Sequence, residues 1–235
     1  WVPDGLKDMP ANRLLYREHL RESLDRIFEK RLDRSLMRDV LEGKVFGIGT
    51  ESFTVGSHEF YLAYAAGHHV GICMDTGHYH PTENVADKLS AMVPLIDDVL
   101  LHISRGLRWD SDHVLIQGDD LSALMQEMKR GGFFHRVGMG LDYFDASINR
   151  VAAWVIGLRA AGKAMLTALL EPSALLEQAE ADGDFTARLA LTEEFKNLPA
   201  NAVWEYLCLQ EGVPVGTDWL TVLRRYEQDV QSKRR

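Results

Sequence analysis

The sequence predicts an α/β fold built on a parallel sheet, and three observations predict it. Apolar runs at residues 70–75 (VGICMD), 98–104 (DVLLHIS) and 136–142 (RVGMGLD) are each short enough for a buried strand and bounded by turn residues. A segment of helical periodicity follows each of them, and strands alternating with helices at this spacing form βα units whose crossovers leave neighbouring strands parallel. Composition agrees: 46% hydrophobic and 26% charged residues over a 235-residue chain is ordinary globular usage, with enough length to bury a core without disulfides.

Taken in order, residues 10–30 carry Leu14, Leu20, Leu24, Ile27 and Phe28 on or near one helical face, which predicts an amphipathic helix. Residues 35–42 read as a strand ending on the carboxylate of Glu42, with Gly43 beyond it. Ser57 opens a helix that Gly67 is placed to stop. After the strand at 70–75 comes a turn at Thr76 and Gly77, then a helix over 83–93 for which Pro81 and Thr82 supply start signals. The strand at 98–104 is trailed by a polar loop and a helix over 120–129, and the strand at 136–142 leads into a long helix over 146–170. Beyond Pro172 only helices are expected, at 174–181, 185–196, 199–209 and 219–232. The organisation expected is a sheet domain over residues 1–172 and a helical extension over 173–235, packed on the sheet domain or on a neighbouring subunit.

Charge and cysteine usage exclude several function classes. Twenty-six Lys and Arg against 35 Asp and Glu give a net charge of −9, with the basic residues scattered apart from the short run Lys233, Arg234 and Arg235, which argues against nucleic acid as a partner. Two cysteines, Cys73 and Cys208, read most simply as reduced thiols in a cytoplasmic protein. No uncharged apolar run approaches the ~18 residues that a membrane helix needs, and no signal-peptide pattern is present. The chain opens at Trp1 in mid-pattern, as if cut from something longer.

The residues that point to chemistry stand at the C-terminal ends of the predicted strands: Glu42, Asp75 with His78, His102 with Asp110 and Asp112, and Asp142. In parallel βα folds, active sites are built on that edge. Carboxylates mixed with imidazoles suit Mn, Co, Zn or Fe, whereas an all-oxygen set would favour Mg or Ca. Asp75 and His78 lie three apart on a strand-exit turn, close enough to share an ion, or for Asp75 to bridge two. Asp110 and Asp112 project to one side if their loop is extended. Five converging carboxylates repel one another, and two divalent cations with Lys44 would neutralise them. Each residue also has an ordinary reading: His102 as a hydrogen-bonded core histidine, Asp110 to Asp112 as a solvated turn or cap, Glu42 and Asp142 as surface acids. Their coincidence at successive strand ends is the argument for a site. Gly47-Ile-Gly49 lacks a Rossmann context and reads as loop geometry, and Ser104, Ser111 and Ser147 sit in no G-x-S-x-G elbow. The pairs His68-His69 and His78-Tyr-His80 could each act as an adventitious chelator, and His80 before Pro81 reads as a loop residue rather than a ligand.

The segments WVPDG at Trp1, LEGK at Leu41, FGIGTESFTVGSHEF, DTGHYHPTE, HISRGLRWDSDH and LDYFDASINR together resemble the C-terminal portion of bacterial L-rhamnose isomerases, over essentially the whole chain. A more distant similarity joins the Glu-x-Lys, Asp-x-x-His and Asp-x-Asp spacings to xylose isomerase, where a glutamate stands in place of Asp75. The resemblance implies a (β/α)8 TIM-type barrel, of which this sequence would hold about the second half, strands 5–8, with Trp1 at the end of the fourth strand. It implies an aldose–ketose isomerase of L-rhamnose and L-rhamnulose using two divalent ions, manganese first, with cobalt or zinc as alternatives. On matching positions, Glu42, Asp75, His102 and Asp142 would hold a structural ion that also meets sugar hydroxyls. His78, Asp110 and Asp112 would hold a catalytic ion, with Asp75 bridging. Lys44 would lie near the sugar's first oxygen and Trp1 would wall the pocket. The helical tail would join a homotetramer, and the N-terminal half of the barrel would be needed for activity.

Overall fold

A computed structural model of the chain describes residues 5–6, 11–44, 53–54, 56–80, 82–107, 109–145 and 147–234. They form two compact units, one running to Leu115 and including Gly131–Asp145, the other taking Ile116–Arg130 and the residues from 147 onward.

The first unit is built on a four-stranded, all-parallel sheet of β2 (Val40–Glu42), β4 (Gly71–Asp75), β5 (Val99–Ile103) and β8 (Val137–Leu141), in that order across the sheet. The predicted parallel βα sheet is therefore present. Because side chains alternate across a strand, Ile72, Met74, Val99, Leu101, Ile103 and Val137 lie on one face and are buried as core. The opposite face carries Cys73 and Asp75 on β4, paired in register with Leu100 and His102 on β5, which pair in turn with Gly138 and Gly140 on β8. Among the described residues, three helices belong to this unit. In α1 (Arg13–Ile27) the Asn12 side chain accepts the Leu15 amide at 3.1 Å, and Leu20 and Leu24 supply the buried stripe. The others are α2 (His58–His68) and α3 (Ala86–Met92).

Several boundaries differ from the sequence expectation for identifiable reasons. The first strand of the sheet begins at Val40 and not at Ser35, because Asp33 takes the Ser35 amide with its side chain and the Leu36 and Met37 amides with its carbonyl, making a turn. Helix α2 is capped by the Ser57 hydroxyl but runs through Gly67, and it stops where His69 adopts a left-handed φ of 52°. Helix α3 starts at Ala86 because Asn84 takes its amide at 2.9 Å. The expected polar loop after β5 is an antiparallel pair, β6 (Arg105–Leu107) with β7 (Trp109–His113), registered Arg105 to His113. A short β1 (Gly5–Leu6) pairs antiparallel with β3 (Phe53–Thr54), which periodicity over two residues cannot signal.

The second unit is helical: α4 (Asp119–Arg130), α5 (Arg150–Leu170), α6 (Ser173–Ala181), α7 (Phe185–Phe195), α8 (Ala200–Gln210) and α9 (Trp219–Asp229), closed by a 3-10 turn at Gln231–Lys233. All four tail helices fall within a residue or two of their expected starts. Helix α5 begins at Arg150, because Asn149 takes the Val151 and Ala152 amides. It is long and apolar enough to cross a membrane by length and composition, yet it carries Arg159 and Lys163 mid-helix and a buried stripe of Ala153, Gly157, Ala160, Ala164 and Ala168. Small residues at that spacing let α4 and α8 pack closely on it. At the α5–α6 corner, Glu171 is 4% exposed and takes two hydrogen bonds from Arg130, Nε at 2.9 Å and Nη2 at 2.5 Å.

Candidate metal centre

The sheet register assembles the site. Glu42 closes β2 and lies opposite Cys73, Asp75 closes β4 and lies opposite His102, and Asp142 follows directly on β8, its amide reaching the Ile103 carbonyl at 3.4 Å. Parallel strands in register end together, so carboxylates and an imidazole far apart in sequence meet at one edge.

Around His102, Nδ1 stands 2.9 Å from Glu42 Oε1, 3.2 Å from Asp142 Oδ2 and 3.8 Å from Asp75 Oδ2. These four residues form one group able to hold a metal ion. Asp75, His78 and Asp112 form a second: His78 Nε2 is 3.8 Å from Asp75 Oδ2 and 3.6 Å from Asp112 Oδ1, and His78 Nδ1 is 3.7 Å from Glu42 Oε1. Asp75 belongs to both groups, through the same oxygen. The turn after β4 creates this arrangement, since the His78 amide bonds back to the Asp75 carbonyl and the Gly77 amide to Asp75 Oδ1.

The electrostatics are those of a donor set closed in on itself. Asp75 is 1% exposed and burial pushes its carboxyl up to about 6, against the pull of His78 and the Gly77 amide, with Asp112 adding to the rise. Burial works on His78 as well, but the charges of Asp112, Asp75 and Glu42 outweigh it and hold its imidazole above the usual range. The hydrogen bond that His102 donates to Glu42 raises its imidazole too. Glu42 and Asp112 feel the same desolvation, yet His102 and His78 respectively draw their carboxyls below the ordinary value, and Lys44 contributes at Asp112. Among the described residues, Asp75 Oδ2 and Asp112 Oδ1 are buried without a hydrogen-bond partner. Buried carboxylate oxygens in that state are costly unless a cation meets them. Mixed oxygen and imidazole donors suit divalent Mn, Co or Zn, so the residues present fit the expected ions.

Of the residues singled out by sequence, the structure brings together Glu42, Asp75, His78, His102, Asp112 and Asp142. Lys44 is half-buried and acts on Asp112. Asp110 lies on β7 two residues before Asp112, but its side chain is outside the described residues, as are Trp1 and the Gly47-Ile-Gly49 segment. His80 is a loop residue bonded to Thr82 Oγ1 at 2.6 Å, and His68 stacks on Tyr64 with ring centroids 3.9 Å apart. Sequence reasoning missed three residues that shape the site: Thr76, Gly77 and Ser104. It also missed Cys73, whose Sγ lies 3.7 Å from Glu42 Oε1. The period-two step from Cys73 to Asp75 was the available signal for Cys73.

Comparison with known proteins follows the same lines. The sequence matches the family described as L-rhamnose isomerase (RhaA) over residues 1–234. The chain belongs to the L-rhamnose isomerase family. It is 54% identical over 234 residues to an L-rhamnose isomerase of Rhodopirellula baltica, and 52% identical to those of Citrobacter koseri and Salmonella paratyphi B. Each match takes in 100% of this chain and 55–56% of the relative, so the chain spans about half the length of the L-rhamnose isomerases it matches.

Proposed function

We propose that the chain is the metal-bearing C-terminal part of an L-rhamnose isomerase, which interconverts L-rhamnose and L-rhamnulose at two divalent ions. The observation that carries this is the sharing of one buried carboxylate, Asp75, by two groups of ligands at the strand ends of a parallel sheet. Glu42, Asp75, His102 and Asp142 would hold the structural ion, and His78, Asp110 and Asp112 the catalytic one, with manganese expected first and cobalt or zinc able to substitute. When bound, the ions supply Lewis-acid polarisation of the oxygens on carbons one and two of the open-chain sugar, which suits a hydride shift between those carbons. The chain's own part is to place donors and exclude water. Lys44 would set its ammonium toward the sugar's first oxygen, Glu42 and Asp142 would orient hydroxyls, and Trp1 would wall the pocket. A proton-transfer enediol route is the alternative chemistry.

The fold reading that goes with this function is a (β/α)8 barrel in which β2, β4, β5 and β8 are strands 5–8. Residues 1–172 are the barrel half, because α4 and α5 are the helices that follow β5 and β8 in the chain, and residues 173–235 are an extension contacting neighbours in a homotetramer. The N-terminal half supplies the remaining strands. A cytoplasmic location accords with the two buried free thiols, Cys73 and Cys208.

The test is metal content after exhaustive dialysis of the intact protein given Mn, Co and Zn, followed by conversion of L-rhamnose to L-rhamnulose. About two equivalents with turnover supports the proposal. Two equivalents with turnover only on another aldose makes the chain an isomerase of a different sugar. No metal and no turnover makes it a structural or assembly piece.

A further inference from the structure

Ser104, which has no place in a hydrolase elbow, is 4% exposed and sits behind the shared carboxylate. Its hydroxyl donates to Asp75 Oδ1 at 2.9 Å, and the Gly77 amide donates to the same oxygen at 2.7 Å. Two donors saturate that oxygen. Oδ2 is therefore the atom turned to the ligand groups, 3.8 Å from both His78 Nε2 and His102 Nδ1, buried and accepting no hydrogen bond among the described residues.

Ser104 is itself held. The Thr76 hydroxyl donates to the Ser104 carbonyl at 2.7 Å and accepts the Ser104 amide at 2.8 Å, while the Thr76 amide bonds the His102 carbonyl at 2.9 Å. The exits of β4 and β5 are thus tied together beyond the last sheet pair, Asp75 with His102. The packing leaves room for nothing larger than glycine at 77, where a Cβ would fall 2.5 Å from Ser104 Oγ, 3.0 Å from Asp112 Oδ1 and 3.3 Å from Asp75 Oδ1.

We propose that Ser104 is a positioning residue: with Gly77 it occupies Oδ1 of Asp75 and so fixes Oδ2 as the single oxygen presented to both ligand groups. This rests on the two-ion reading above. Carboxylate torsions are broad when unrestrained, so releasing Oδ1 lets the group turn. Because Asp75 belongs to both groups, the two ions should weaken together.

The experiment is Mn(II) equilibrium dialysis on the intact protein, with electron paramagnetic resonance of the loaded protein and circular dichroism to establish folding. Wild type should bind two equivalents with the spectrum of a spin-coupled pair. Ser104→Ala should weaken both ions ten- to a hundred-fold, the factor carried by one lost hydrogen bond to a charged group, and give the six-line spectrum of isolated Mn(II). Ser104→Thr, which keeps the hydroxyl, should restore the coupled pair. Asp142→Asn should weaken one ion only. If Ser104→Ala fails to fold, Thr76→Val removes the anchor of Ser104 and is expected to weaken both ions in the same way. Unchanged affinity in folded Ser104→Ala, or loss of a single ion, overturns the positioning role. Fewer than two equivalents in wild type overturns the two-ion reading, and this role with it, before any variant is made.

Discussion

Replacing Asp75 by asparagine separates the electrostatics of the site from its shape. The substitution is isosteric, and the Gly77 amide and Ser104 hydroxyl fix its orientation. Both are donors to Oδ1, at 2.7 and 2.9 Å, so the amide carbonyl must take that position and the NH2 must take that of Oδ2. An amide nitrogen has no lone pair for a cation, and both ligand groups lose their common donor. The effect on stability has two parts of opposite sign. In metal-free protein at pH 8 the Asp75 carboxyl, pushed up to about 6 from 3.8 by burial, is ionised against that burial. At ~1.4 kcal/mol per pH unit, the cost is on the order of 1–3 kcal/mol, reduced from its upper end by coupling to His78. Asparagine removes that cost. Metal-free Asp75→Asn should therefore melt above metal-free wild type at pH 8, by roughly 2–10 °C for a chain of this size. The gap should narrow at pH 5, where wild type holds the proton. Added Mn(II) should raise the melting temperature of wild type and leave the variant unmoved. Scanning fluorimetry after chelation, with and without Mn(II), reads all of these. A metal-free variant that melts below metal-free wild type at pH 8 would refute the argument, since it would mean that the carboxylate is not under desolvation stress.

The pH dependence of the metal-free protein follows with a definite sign. Asp75 and His78 both have raised pKa values, so the folded state binds more protons than the unfolded one; their stabilisation is complete below the unfolded values and is lost as pH rises through the folded ones. Melting temperatures of chelated protein should fall between pH 5 and pH 8 more steeply for wild type than for Asp75→Asn, and equal slopes would contradict the assignment; the lowered carboxyls of Glu42 and Asp112 act below that window. In the helical unit, Glu171→Ala should cost about 2–3 kcal/mol in denaturant unfolding. That is less than a fully buried pair, because the Arg130 side chain is 41% exposed while that of Glu171 is 0% exposed. Metal content should stay unchanged, and a loss below about 0.5 kcal/mol would show the pair to be energetically idle.

How much of this was legible in the sequence depends on the distance over which each feature is decided. Strand β4 reads plainly because all five of its residues are buried and its sequence is a continuous apolar run ending in Asp75. Helix α4 reads equally well from Leu121, Leu124, Met125 and Met128 on one face. The strand-end acids were legible because parallel registry converts the last residue of each run into one edge of the sheet, with no knowledge of contacts required. The β6–β7 pair was not, since Trp109-Asp-Ser-Asp-His lacks apolar alternation. Ser104 failed for a related reason: its meaning lies in a bond to a residue 29 positions away. A serine two past a histidine carries no local mark of it.

That division follows from what each layer of the sheet has to do. On the apolar face, Met74 and Leu101 are completely buried, and their contribution is non-directional and proportional to area. Any sequence of the right period and volume supplies it, which is why the period is visible. On the other face, Asp75 is just as buried, and burial acts against it. Its retention there demands specific partners at specific atoms: two donors on Oδ1, and on Oδ2 a position between two imidazoles that cations would complete. Such bonds are made across turns and between strands, at Gly77 and Ser104, where no periodicity records them. A carboxylate buried as deeply as a core leucine is thus informative in its own right, since the apolar half of the sheet must offset its cost until ions bind, and the fold retains it at the point where both ligand groups meet.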